Sequence, residues 1–145
     1  KQAVPNETVW LDELKIEFLA PLQFYDTMNN NSVVVKLTYG DTSFLMMGDA
    51  EKEEEQDLLN SGANLQADVI KIGHHGSKTS TTQEFLNAVQ PDMAVISVGP
   101  DKNELPKSEV LQRLEASNVK TYRTDSSGTV IFMSDGADIT VATEQ

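Results

Sequence analysis

Three short apolar runs, separated by two stretches of helical spacing, constrain this chain more than anything else in it. Val69-Ile70-Lys71-Ile72, Met93-Ala94-Val95-Ile96-Ser97-Val98 and Val119-Lys120-Thr121-Tyr122-Arg123 carry the β-branched and apolar side chains of strands. The middle run is almost continuously apolar, the pattern of a strand covered on both faces. Between the first two runs, Thr81 or Thr82 caps a helix that continues through Val89, with Glu84 placed for a capping box and Pro91 after it. Between the last two, Ser108 to Ala116 is amphipathic, and Val110, Leu111 and Leu114 mark its core face. Strand–helix–strand–helix–strand requires crossover connections, which are right-handed and lay the strands in parallel.

The flanks add antiparallel pairs. Leu14 to Leu19 alternates apolar and polar and ends at Pro21, as a half-buried strand does. Phe24 to Asn31 reads as loop. Ser32 to Tyr39 reads as a strand, Gly40-Asp41 as a hairpin turn, and Ser43 to Met47 as its partner. Gly48-Asp49-Ala50 stops that strand and opens a helix from about Glu51 to Asn60, with acidic residues at its positive end and Gly62 near its C-terminus. Glu51, Glu53, Glu54, Glu55 and Asp57 read as a solvated helix face. Beyond Arg123, Asp125-Ser126-Ser127-Gly128 turns the chain into a strand Thr129–Met133, and Ile139-Thr140-Val141 closes the domain. The predicted fold class is α/β, one domain over 1–145: a mixed sheet with helices mainly on one face. Its other face needs a cover.

Composition narrows the functions. A chain of 145 residues is long enough for one domain with a real core. It has no cysteine, which excludes disulfides, thiolate zinc ligands and a Cys nucleophile. No apolar run approaches the roughly 18 residues of a membrane span. Lys1-Gln2-Ala3-Val4-Pro5 lacks the apolar core of a signal peptide, and a start without Met suggests a fragment of something longer. With 11 basic residues against 23 acidic ones, the formal charge is −12. Non-specific nucleic-acid binding works by neutralising phosphates with Lys and Arg. Any such role here needs metal ions or another segment to bring positive charge.

Two places could do chemistry. Asp49 follows an apolar strand at a Gly-assisted turn, where ligands bind in open α/β sheets, and its carboxylate could hold a cation or simply cap the next helix. His74 and His75 are the only histidines, adjacent and bracketed by Gly73 and Gly76. Neighbouring side chains diverge, so one could face a metal while the other orients a neighbour; both could equally be structural. The hydroxyls of Ser77, Thr79, Ser80, Thr81 and Thr82 could contact a phosphate or satisfy loop and cap amides. Asn29, Asn30 and Asn31 could place an amide near the site or make a plain turn. A P-loop, a GxSxG elbow and an aromatic stacking platform are all absent.

Asn31-Ser32-Val33-Val34, Phe44-Leu45-Met46-Met47-Gly48-Asp49-Ala50-Glu51, and Asp68 through Ile72 into Gly73-His74-His75-Gly76-Ser77-Lys78-Thr79-Ser80 resemble the C-terminal half of the metallo-β-lactamase-like domain of ComEC-type DNA-uptake proteins. The likeness continues through Pro91–Gly99 and Tyr122–Asp125, and covers roughly 14 to 133. It implies half of a four-layer αββα sandwich and two metal ions, zinc or manganese, at the edge between the sheets. It implies Asp49 as a metal-bridging carboxylate, His75 as a metal neighbour, His74 and His75 as catalytic groups, and Asn31, Ser32, Ser77, Lys78, Thr79 and Ser80 on the substrate side. The activity implied is a metal-dependent phosphodiesterase or nuclease acting on DNA during uptake. The family's HxHxDH motif is absent from this chain, and its NxYGHP-like stretch reads Asp101-Lys102-Asn103-Glu104-Leu105-Pro106, where Leu105 cannot bind metal. A missing N-terminal half-domain or a second copy of the chain is therefore expected against the open sheet face. The alternatives are a catalytically inactive partner-binding or structural module and a lactonase- or esterase-type hydrolase. The resemblance implies the extracellular face of a membrane; without it, the cytoplasm.

Overall fold

The computed structural model describes residues 5–99 and 104–144. The extreme N-terminal residues 1–4 and positions 101–103 of the loop before Leu105 lie outside the described residues. A seven-stranded sheet runs β1 (Thr8–Leu11), β2 (Leu14–Ala20), β3 (Val34–Tyr39), β4 (Thr42–Met46), β5 (Val69–Lys71), β6 (Met93–Ile96), β7 (Lys120–Arg123), in that spatial order. β1 to β4 form an antiparallel meander, and β4 to β7 are parallel. The crossovers are α1 (Lys52–Asn60), α2 (Gln83–Val89) and α3 (Ser108–Ala116).

The two-residue period of the strands sorts the sheet into two faces. Leu45, Met47, Ile70, Ile72, Ala94 and Ile96 join one buried cluster with Leu58 of α1, Phe85, Leu86 and Val89 of α2, and Val110 and Leu114 of α3. The intervening residues, Phe44, Met46, Val69, Lys71 and Val95, line a groove of about 630 Å³ on the opposite face. The helices thus lie on one face, as the sequence predicts.

Four expectations are corrected. Thr8–Leu11 forms an additional strand, exposed throughout, so its sequence carries no burial pattern. The closing hairpin, β8 (Thr129–Ser134) with β9 (Ile139–Glu144), is a separate two-stranded sheet rather than an edge of the main one. The reason is the turn before it: Thr124–Ser127 is a helical turn, α4, and Gly128 at φ 65° redirects the chain over the far face. There the ring of Phe132 packs edge-on against Phe44 and Tyr122, at 6.4 and 5.6 Å between centroids. Thr82 caps α2 by accepting from Phe85 N–H at 3.3 Å, which puts Glu84 one position short of a capping box.

The fourth correction concerns α1. Glu54 and Glu55 are not solvated but 0% and 1% exposed. Glu55 accepts from the backbone N–H groups of Thr81 and Thr82 and so closes the start of α2. Arg113 of α3 donates to the carbonyls of Ser80 and Thr81 beside it. Three crossovers are thereby tied at one point, just beyond the His74-His75 loop. Among the described residues, neither carboxylate oxygen of Glu54 has a partner within full hydrogen-bond geometry. Burial pushes its carboxyl up to about 8, with Asp57 and Glu55 adding to the rise and the Ser32 backbone opposing it.

Candidate functional site

The site lies at the carboxyl ends of the parallel strands. β4 delivers Gly48-Asp49 and β5 delivers Gly73-His74-His75-Gly76, which forms a tight, kinked turn. His74 and His75 both adopt left-handed backbone, at φ 44° and 54°. Such a conformation costs a non-glycine residue roughly 1–2 kcal/mol. The surroundings impose it. His74 N–H donates to the Gly48 carbonyl at 3.1 Å, stitching the two loops together. A Cβ on Gly73 would sit 2.7 Å from the Ala50 carbonyl, and one on Gly76 would sit 2.5 Å from Cβ of Pro106. Both glycines let the turn approach its neighbours more closely than a side chain permits.

This turn brings His75 Nε2 to 3.6 Å from Asp49 Oδ1, and both side chains are 46% exposed. His75 Nδ1 lies 2.6 Å from the Ser97 carbonyl. A carbonyl only accepts, so Nδ1 carries the hydrogen, and the basic Nε2 of a neutral ring faces the Asp49 carboxylate. Two electron-rich atoms then confront each other across a gap suited to a proton or a cation. His74 is held the same way: its Nδ1 lies 3.1 Å from Glu51 Oε1, with the Asn29 amide 3.5 Å away. Glu51 in turn accepts from the Thr79 hydroxyl, and its backbone N–H donates to Asn30 Oδ1 at 2.9 Å. Imidazoles anchored through Nδ1 to a carboxylate or carbonyl are the arrangement seen at metal ligands and at positioned proton acceptors.

The other residues singled out by sequence fall into two groups. Ser32 stays at the site, its hydroxyl accepting from the Asp49 N–H at 2.9 Å. Thr79 stays through Glu51, Ser77 bonds Thr79 at 3.0 Å, and Lys78 is exposed. Ser80 is buried and donates to the carbonyls of Gly73 and Ser77 at 2.9 and 3.0 Å. Asn31 spends its amide on Tyr25 and Thr27, at 2.7 to 3.0 Å. Both serve the loop backbone, whose amides lack ladder partners. Asp49 is not a helix cap; Glu51 occupies the N-cap position of α1. Leu105 packs against the core cluster.

Sequence reasoning missed Glu51 and Ser97. Glu51 was hidden in a run of acids, and Ser97 acts through its backbone carbonyl, for which no side-chain signal exists. A pocket of about 360 Å³, lined by His75, Ser97, Val98, Gly99 and Thr124, opens beside His75. Thr124 shapes it by accepting from Val98 N–H at 2.7 Å and donating to Val98 O at 2.6 Å.

Among the described residues, no group of three His, Asp or Glu side chains gathers around a point that could hold a metal ion. Zinc takes three or four ligands. Among the described residues Asp49 and His75 supply two, which do not by themselves fit a complete metal centre.

Comparison with known proteins gives the following. The family description "Metallo-beta-lactamase superfamily" matches residues 2–99. ComE operon protein 3 of Bacillus subtilis is 38% identical over 144 residues, which covers 90% of this chain and 19% of that protein. Competence protein ComA of Neisseria gonorrhoeae is 37% identical over 124 residues, covering 83% and 18%. The chain therefore spans about a fifth of the length of these relatives. A crystal structure of CmlA, a diiron β-hydroxylase from Streptomyces venezuelae, superposes with a TM-score of 0.58 at 11% identity, over 83% of this chain and 32% of that one. That likeness is one of fold.

Proposed function

The chain belongs to the metallo-β-lactamase superfamily, and from that premise we propose that it supplies one half of a metal-dependent phosphodiesterase site acting on DNA during uptake. The observation that carries this reading is the 3.6 Å approach of His75 Nε2 to Asp49 Oδ1 at the strand ends, with the His75 ring locked by Ser97. The competence names of its relatives support the link to DNA uptake.

The remaining donors come from a segment outside this chain. That segment packs on the far sheet face beside the β8–β9 hairpin, where the groove is predominantly apolar. When bound, metal ions supply the charge that polarises a phosphodiester and activates water. The residues of this chain hold and orient. Ser97 fixes the His75 ring, Glu51 and Thr79 fix His74, and Ser32 pins the backbone of Asp49. His74 Nε2 has no described partner, which suits it to move a proton to or from a leaving oxygen.

The test is hydrolysis of a single-stranded oligonucleotide and of bis(p-nitrophenyl) phosphate by the protein joined to its missing half, with zinc or manganese added. Asp49→Asn and His75→Gln are expected to lower turnover by on the order of a hundredfold or more. Turnover equal to that of the parent in both variants would defeat the reading. Cleavage of p-nitrophenyl acetate or a lactone without cleavage of the diester would replace it with an esterase. A second reading, a non-catalytic partner-binding module, is favoured by the two-donor set; absence of hydrolysis together with tight binding of the other half would select it.

A further inference from the structure

Lys71, the last residue of β5, sits on the groove face of the sheet, between Ile70 and Ile72, which face the helices. Among the described residues that line the groove it is the only cation, and it stands in register between Met46 and Val95 of the neighbouring strands. Its Nζ makes one described hydrogen bond, to the Ile72 carbonyl at 3.3 Å, and no described carboxylate lies within ion-pair distance. An ammonium carries three donors, so two remain uncommitted. Burial disfavours its charge and pulls its titration below the usual lysine range, while the field of Asp49 opposes that fall.

A half-buried ammonium with free donors is costly unless something anionic completes it. Asp49, whose field reaches Lys71, belongs to the pair at 3.6 Å from His75. Ser97 and Thr124 line both the groove that holds Lys71 and the pocket that opens beside His75, so the two cavities share a wall. An oxyanion held by Lys71 at that shared wall lies toward the pocket that opens beside His75. This local cation also bears on the charge problem, since a chain of net charge −12 repels a polyanion overall and needs a local positive group to hold one.

We propose that Lys71 is a substrate-binding residue whose ammonium holds a non-bridging oxygen of a phosphodiester at the wall its groove shares with the pocket beside His75. The substrate class rests on the phosphodiesterase reading above; the placement of the anion rests on the groove. Lys71 binds and steers, and takes no part in bond making.

The test uses dimethyl phosphate, a phosphodiester without bases, titrated into the chain while the lysine ¹³Cε signals are followed by NMR, with Lys71 assigned from the spectrum of Lys71→Arg. The Lys71 signal is expected to move and saturate. Lys71→Gln is expected to weaken binding about tenfold or more, the loss of a charge-assisted hydrogen bond, and Lys71→Arg to retain it. Lys120→Gln, at the opposite rim of the sheet, is expected to change nothing. Amide spectra of the variants report whether the fold is kept, and Lys71→Met serves if Lys71→Gln does not fold. A stationary Lys71 signal, or equal affinity in parent and Lys71→Gln, overturns the proposal. Saturable binding at Lys71 with no diester cleavage by the completed protein would instead overturn the phosphodiesterase reading and leave the anion site standing.

Discussion

Replacing Glu54 by Gln is expected to make the protein more stable above neutral pH and to flatten its pH dependence. Both oxygens of Glu54 are buried without a well-formed hydrogen bond among the described residues, and its carboxyl is pushed from 4.5 up to about 8, chiefly by burial. The sign follows from linkage. Between pH 4.5 and 8 the unfolded chain has released this proton and the folded chain still holds it, so the unfolded state binds fewer protons and stability falls as pH rises. Stability from this group is complete below pH 4.5 and declines up to about pH 8. At about 1.4 kcal/mol per pH unit the ceiling is roughly 5 kcal/mol. Water penetration and rearrangement around an ionised group reduce that, and about 2–3 kcal/mol is the expected loss. Glutamine keeps the shape of the protonated acid and cannot ionise. Urea unfolding followed by circular dichroism from pH 5 to 8.5 measures both proteins. The difference between them isolates Glu54 from the carboxyls of Glu53 and Asp125, which are held low by Asn30 and Arg123 and act at acid pH. A parent protein that gains stability relative to Glu54→Gln between pH 5 and 8 would refute the reasoning.

Glu55→Ala strands the N–H groups of Thr81 and Thr82 in the interior and leaves Arg113 without its neighbouring carboxylate; a loss of about 3 kcal/mol in urea unfolding is expected. Gly76→Ala forces a Cβ onto Pro106 at a backbone φ of 80° and is expected to cost about 2 kcal/mol or more, read as a lowered Tm. Asp49→Ala, at a half-exposed side chain, is expected to shift stability by less than about 1 kcal/mol. In the completed protein, equilibrium dialysis with zinc is expected to show the same substitution lowering metal affinity, and unchanged zinc content would remove Asp49 from the ligand set.

Much of the fold was legible because its signals are local. The alternation in Val34–Tyr39, the run at Met93–Ile96 and the stripe on Ser108–Ala116 each state a period and a buried side before any contact is known. Strand–helix alternation then leaves little choice but parallel pairing from β4 to β7. The placement of Asp49 and the two histidines at strand ends was legible for the same reason: each follows a short apolar run directly, next to a glycine.

Tertiary structure alone decided the rest. A run of acids has the same sequence signature whether solvated or enclosed; only the assembled chain buries Glu54 and Glu55, and only the arrival of the start of α2 binds the latter to two amides. The lock on His75 is a backbone carbonyl 22 residues away, which any residue at position 97 could offer. The groove exists because Gly128 sends the last hairpin over the sheet instead of alongside it. Local periodicity records which side of an element is buried. It carries no record of what buries it, because that partner is chosen by the free energy of the assembled chain.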